Sequence, residues 1–163
     1  MAYGVYVHLP FCQKKCAYCD FPSQVGTKAQ MAAYTAALCR EMEERGAALA
    51  SFGAPATAYL GGGTPTALPL SLLVRILLTL KRVLPFSPEA EVTVEVNPGT
   101  VDLETLTALY ALGATRISVG AQSFSDRLLA RIGRIHTARE AEDAVRMAKE
   151  AGFRVSLDLM YGL

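Results

Sequence analysis

Three thiols within eight residues, Cys12, Cys16 and Cys19, are the part of this sequence best equipped for chemistry. The spacing Cys12-x-x-x-Cys16-x-x-Cys19 lets one short loop present all three sulfurs to a single object. Soft sulfur ligands select iron–sulfur clusters or zinc. Three ligands on a four-iron cube would leave one iron open to a reacting molecule. The alternative is a Cys3His zinc site with His8 as fourth ligand, which would make this a structural zinc protein. Zinc sites usually gather ligands from two separated segments, whereas these lie in one loop, so the spacing predicts a cluster. A disulfide framework does not suit the pattern, because bridges in small exported folds are spread out to close loops. Residues 1–10 also lack the basic start, apolar core and cleavage site of a signal peptide. Cys39 lies beside Leu38 in a helical stretch and reads as a buried thiol.

What must hold that loop is a repeating strand–helix rhythm. Val5, Val7 and Leu9 alternate with Tyr6 and His8 in a first strand, and the cysteine loop follows directly. A helix is predicted from about Lys28 to Ser51, with Met31, Tyr34, Leu38 and Met42 on one face. A second strand, Thr57 to Leu60, runs into Gly61, Gly62, Gly63 and Thr64; alone, such a run reads as a strand-to-helix turn. Leu72, Leu73, Ile76, Leu77, Leu80 and Leu84 mark the next helix, with Pro69 suited to its first turn. Val92, Val94 and Val96 alternate with Thr93, Glu95 and Asn97 up to Pro98-Gly99, and Leu103, Leu106 and Leu109 form a helix closed by Gly113. Ile117 and Val119 define a fourth strand. Thr137 to Glu140 has capping-box spacing and opens a helix that Gly152 ends. Val155, Leu157 and Leu159 define a fifth strand.

About five βα units with short connections predict a parallel sheet. Parallel strands covered on both faces should be nearly all apolar. Four of these carry polar side chains on one face instead: Tyr6 and His8, Glu95, Gln122, and Asp158. If the sheet curls, those faces line the inside of a barrel, near the strand ends where barrel active sites form.

Composition sets the outer limits. The 163 residues are 52% hydrophobic and 19% charged, which suits one globular domain. Sixteen basic against fifteen acidic residues leave a formal charge of +1, so no electrostatic argument favours nucleic acid or an anionic membrane. The uncharged stretch Gly46 to Val74 holds five glycines and three prolines, which rules out a continuous membrane-spanning helix within it. A cytoplasmic location is expected.

The segments Tyr6-Val7-His8-Leu9-Pro10-Phe11-Cys12, Cys19-Asp20-Phe21 and Gly61-Gly62-Gly63-Thr64-Pro65-Thr66 resemble the radical S-adenosylmethionine (SAM) superfamily. Glu95-Val96-Asn97-Pro98, Gly120-Ala121-Gln122-Ser123-Phe124 and Asp158-Leu159-Met160-Tyr161-Gly162-Leu163 continue the match in family order. Within the superfamily the chain resembles the oxygen-independent coproporphyrinogen III oxidase group, and most closely its HemW-type haem chaperones. The resemblance implies an α/β fold, an incomplete TIM-like (β/α) radical SAM barrel. It implies a [4Fe–4S] cluster on Cys12, Cys16 and Cys19, with SAM chelating the open iron; in the enzymes, reduction cleaves SAM to methionine and a 5′-deoxyadenosyl radical. Gly62, Gly63 and Thr64 would let the backbone approach the SAM ammonium, and Glu95 would accept from ribose hydroxyls. Gln122 and Asp158 would add polar contacts, Arg134 would pair with the SAM carboxylate, and Tyr6 would line the pocket. His136 reads as a structural residue before a helix.

Oxidases resembling this chain carry a further cysteine two positions past the third ligand, where this sequence has Phe21. That departure favours a chaperone that binds haem or a porphyrin and hands it to an acceptor protein, with an electron donor for the cluster. The alternative is radical decarboxylation of coproporphyrinogen III. No catalytic side chain is assigned. Family members continue beyond the fifth strand with a sixth βα unit and a C-terminal domain. Residues 1–163 are therefore expected to be a radical SAM core truncated at its C-terminal end, oligomeric or aggregation-prone alone.

Overall fold

The computed structural model describes residues 3–163. Its strands are β1 (Gly4–Leu9), β2 (Thr57–Gly62), β3 (Glu91–Val96), β4 (Arg116–Gln122) and β5 (Arg154–Leu159). Its helices are α1 (Lys28–Ala50), α2 (Leu70–Val83), α3 (Leu103–Ala111), α4 (Asp126–Arg131) and α5 (Ala138–Glu150). The strands form one sheet, all neighbours parallel, in the order β1-β2-β3-β4-β5. Sequential order with helical crossovers gives an open arc whose two edges are β1 and β5. No helix among the described residues is long and apolar enough to cross a membrane.

Two adjacent rows of side chains explain the polar strands. Val7, Leu60, Val94, Ile117 and Val155 are register partners across the whole sheet. That apolar row faces the helices, packing into one core with Leu73, Ile76, Leu77 and Leu80 of α2, Leu106 and Leu109 of α3, and Ala144 and Ala148 of α5. The next row, Tyr6, Tyr59, Thr93, Arg116 and Arg154, is likewise in register and points the other way. With a side-chain period of two, each strand turns one face to the core and one to the hollow of the arc. The polar face satisfies itself through a ladder. Arg116 donates to Ser156 Oγ (3.2 and 3.3 Å), Ser156 to Ser118 (3.0 Å) and Ser118 to Asp158 Oδ1 (3.2 Å). At the strand starts, Glu91 bridges Arg116 (3.1 Å) and Arg154 (3.2 Å), tying three strands together at the end away from the cysteines.

Most elements fall where the periodicity puts them, with local differences. Strand β2 continues two residues past Leu60, because Gly61 and Gly62 still pair with β1. Pro69 is the N-cap of α2 and not a first-turn residue. Helix α4 was not expected at all. It is six residues long, too short for its periodicity to be read. Capping boxes start both α1 (Thr27 with Gln30) and α5 (Thr137 with Glu140).

Candidate cofactor site

The cysteine loop is pinned at both ends and in its middle. At its base, Phe11 pairs with Gln24, Cys12 N donates to Gln24 O (2.9 Å) and Gln24 N to Pro10 O (2.9 Å). His8 reaches across from β1: its Nε2–H donates to Pro22 O (3.1 Å), which leaves Nδ1 to accept from the Tyr6 hydroxyl (3.2 Å). Lys15 Nζ donates to Phe21 O (3.1 Å). In the middle, Ala17 N donates to Ile132 O (3.1 Å), so the unexpected helix α4 is a support for the loop. The glycine run forms the opposite wall. Gly63 N donates to Leu9 O (2.9 Å) and Thr64 N to Phe11 O (2.7 Å), extending the β1–β2 pairing into the loop.

One cavity of about 440 Å³ opens at the carboxyl ends of the strands. Tyr6, Cys12, Cys16, Cys19, Gly62, Gly63, Thr64, Glu95, Gln122, Arg134 and Asp158, the residues that the resemblance assigns to the cluster and SAM, all line it, whereas His8 does not. Glu95 Oε1 accepts from the Tyr59 hydroxyl (2.7 Å) and Oε2 from Gly62 N (3.1 Å), which fixes its orientation without an ion pair. Burial and the Glu95 carboxylate hold the Tyr59 hydroxyl well above its ordinary range and also raise that of Tyr6, so both remain donors. Burial pushes the Tyr18 hydroxyl up to about 12; the Cys16 and Cys19 side chains add to the rise and the Arg134 guanidinium opposes it. Gln122 has φ 64°, the left-handed region, at the point where the β4–β5 register shifts. A non-glycine residue there stores strain of about 1–3 kcal/mol, and it turns the Gln122 side chain to the cavity.

Arg134 does not stay in solvent. Gly133, with φ +79°, ends α4 in a left-handed turn that places Arg134 beside Cys16. Its Nη2 donates to Asn97 Oδ1 (2.6 Å) and to Gly120 O, its Nη1 points at Cys16 Sγ (3.7 Å), and its buried Nε has no partner. Tyr18, Tyr59, Asn97 and Met160 also line the cavity, and none carried a role in the sequence reading. The alternation that placed Glu95 also puts Asn97 on the same face, and that was the available signal.

The residues present fit a cluster and SAM. Three free thiols stand half-buried on one loop. No three His, Cys, Asp or Glu side chains among the described residues converge on one metal-ion position, and both ring nitrogens of His8 are engaged. A single tetrahedral ion draws its ligands together, whereas the corners of a cube take one thiolate each, farther apart. With Nε2 on Pro22 O and Nδ1 on the Tyr6 hydroxyl, His8 has no free nitrogen to serve as the fourth ligand of a Cys3His zinc site. The cavity is lined by the Arg134 guanidinium, which suits a carboxylate, and by the carboxylates of Glu95 and Asp158, which suit hydroxyl or ammonium groups. Its volume lies in the range of small-molecule sites, about 300–1,000 Å³.

Comparison with known proteins agrees with this chemistry. The chain is 40% identical over 171 residues to heme chaperone HemW of Synechocystis sp., covering 100% of this chain and 40% of that protein. Heme chaperone HemW of Escherichia coli is 38% identical, with 98% of this chain and 43% of that protein covered. The chain thus spans about two fifths of the length of the curated relatives it matches. Among solved structures, the radical SAM enzyme coproporphyrinogen III oxidase (HemN) from Escherichia coli superposes with a TM-score of 0.89 at 30% identity, over 99% of this chain and 38% of that one. Archaeal Elp3 from Methanocaldococcus infernus shares the fold alone, with a TM-score of 0.61 at 20% identity. The model of the radical SAM superfamily matches residues 6–163. With three loop thiols at the carboxyl end of a parallel sheet and a match over nearly its whole length, this chain belongs to the radical SAM superfamily, whose cofactors are a [4Fe–4S] cluster and SAM.

Proposed function

We propose that the chain is the radical SAM core of a haem chaperone, holding a [4Fe–4S] cluster on Cys12, Cys16 and Cys19 with SAM beside it, and taking haem or a porphyrin as its ligand. The observation that carries this reading is the convergence of three thiols, one partly unpartnered guanidinium and two carboxylates on a single cavity. When bound, the cluster supplies the electron for radical chemistry on SAM.

The chain's own residues would bind and orient. Arg134, whose guanidinium lines the cavity beside Cys16, would take the SAM carboxylate. Gly62, Gly63 and Thr64 would border its ammonium. Glu95, held by Tyr59 and Gly62 N, keeps lone pairs free for ribose hydroxyls. Gln122 and Asp158 would add polar contacts, and Tyr6 would close one side. A haem-acceptor protein and an electron donor would be its macromolecular partners, in the cytoplasm.

Two findings support chaperone over oxidase: HemW relatives at 37–40% identity in several bacteria, and Phe21 where resembling oxidases carry a further cysteine. The structural likeness to HemN favours the second reading, radical decarboxylation of coproporphyrinogen III. Anaerobic reconstitution followed by iron and sulfide analysis and electron paramagnetic resonance of the reduced protein, with and without SAM, tests the site. A [4Fe–4S]⁺ signal that shifts on adding SAM is expected, and it should vanish in Cys12→Ala, Cys16→Ala and Cys19→Ala. Stoichiometric zinc without sulfide would overturn the site. Stable haem binding without turnover of coproporphyrinogen III supports the chaperone; decarboxylation without haem binding supports the oxidase.

A further inference from the structure

One side chain joins two walls of the cavity and is itself hydrogen-bonded to no cysteine. Asn97 follows the last residue of β3, on the same face as Glu95. Its Nδ2 donates to Thr64 Oγ1 (2.7 Å), and its Oδ1 accepts from Arg134 Nη2 (2.6 Å). The orientation of the amide is fixed, because a guanidinium has only donors and must meet the oxygen. Both of its partners go on to a cysteine. Thr64 Oγ1 lies 3.8 Å from Cys12 Sγ; it accepts from Asn97 on one lone pair and points its own proton at the sulfur. Arg134 Nη1 lies 3.7 Å from Cys16 Sγ, with Nη2 anchored by Asn97 and the Gly120 carbonyl. Thr64 is buried, and its backbone N–H is tied to Phe11 O, so the hydroxyl has little room to wander.

We propose that Asn97 is a positioning residue: through Thr64 and Arg134 it holds one neutral and one charged hydrogen-bond donor on the Cys12 and Cys16 sulfurs, and so raises the reduction potential of the cluster. The inference rests on the cluster reading of the site. A reduced cluster carries one more negative charge, which spreads onto its sulfurs. Donors aimed at those sulfurs stabilise it more than the oxidised form, and such partners are among the determinants of cluster potential. Without the Asn97 amide, the Thr64 hydroxyl loses the group that directs its proton, and Arg134 loses one of the two acceptors that hold its plane. Cys19 receives no side-chain donor among the described residues, so the effect is confined to two of the three ligands.

The test is a potentiometric titration of the reconstituted full chain without SAM, followed by electron paramagnetic resonance, for wild type, Asn97→Ala, Thr64→Val and Thr64→Ser. Asn97→Ala and Thr64→Val should titrate at more negative potentials than wild type, with Thr64→Ser close to wild type because it keeps the hydroxyl. The double variant Asn97→Ala/Thr64→Val should shift by less than the sum of the two, since both act on Cys12. Asn97→Ala and Thr64→Val at the wild-type potential, with full iron content, would overturn the inference and leave the cluster reading standing. Should Asn97→Ala fail to retain a cluster, Thr64→Val against Thr64→Ser decides: equal potentials overturn the proposal. A wild-type chain without any cluster would overturn both readings, and that is visible in the wild-type sample alone.

Discussion

A methyl group on Gly63 would stand 2.6 Å from the Phe11 carbonyl oxygen and 2.7 Å from both Leu9 O and Phe11 N. All three are backbone atoms, and the two oxygens already accept hydrogen bonds across the β1–β2 junction, so none can step aside the way a flexible side chain would. Gly63→Ala should therefore push the glycine wall away from the cysteine loop. Overpacking of this kind costs roughly 1–3 kcal/mol, and here the displaced segment carries Cys12. The expected outcome is a lower denaturation midpoint together with reduced iron content after reconstitution; normal loading at wild-type stability would count against the close approach. At this scale the sequence was informative about residue types and poor about partnerships. Cysteine spacing and the polar positions of the strands pointed to the cavity. The bonds from Asn97 to Thr64 and Arg134 were not legible, because they join residues 33 and 37 positions apart. Nor was the role of His8, whose imidazole fastens the loop to β1 through Pro22.

Thr137 caps α5 by accepting from Glu140 N (3.2 Å), while its own backbone N–H donates to Glu140 Oε2 (2.7 Å). The backbone N–H and the Thr137 hydroxyl, which donates to the same oxygen (2.9 Å), hold the Glu140 carboxyl below the usual carboxylate range. Helix α5 needs such help, since only its narrow stripe of Ala141, Ala144 and Ala148 is fully buried. Alanines contribute little apolar area, so a larger share of the helix's stability falls to its ends. Thr137→Ala should cost about 1 kcal/mol, seen in urea denaturation as a lower midpoint with unchanged slope. An unchanged midpoint would show that tertiary packing alone sets this helix. The α5 box was legible because Thr and Glu sit three residues apart just before an apolar repeat. The same spacing, Thr27 to Gln30, opens α1 and could have been read in the same way. Helix α4 could not: six residues supply less than two turns, too few for a periodic stripe to separate from chance. Its position follows from the tertiary job it performs, carrying Ile132 O to the cysteine loop and Arg134 to Cys16.

For the molecule as a whole, the parallel sheet was readable from the strand–helix rhythm and its two faces from alternation, since apolar and polar rows run in register from β1 to β5. The degree of burial was not readable. Strand β5 has the same alternating pattern as β3, yet Leu157 and Leu159 are 40% and 60% exposed because no strand covers its outer edge among the described residues. Global stability also depends on His136, which sits between α4 and α5, buried, with Nε2–H donating to Ala121 O (3.2 Å) and Nδ1 unpartnered. Burial and the nearby Arg134 cation lower its pKa, outweighing the hydrogen bond and the carboxylates of Glu140 and Asp126, which act in the opposite direction. The folded chain therefore holds a neutral imidazole, whereas the unfolded chain binds a proton below the ordinary value of 6.5. Wherever the unfolded state holds more protons, stability rises with pH. The contribution of His136 is present above pH 6.5 and is lost as pH falls toward the lowered folded value. Glu140 and Asp102, also lowered, lose theirs only below the ordinary carboxylate range, so the two effects separate along the pH axis. Between pH 7.5 and pH 5.5 the wild type should lose more stability in urea denaturation than His136→Gln, whose amide can still donate to Ala121 O without taking up a proton. Parallel pH dependences in the two proteins would mean that His136 titrates alike in the folded and unfolded chain, and that the orphaned Nδ1 is reached by water.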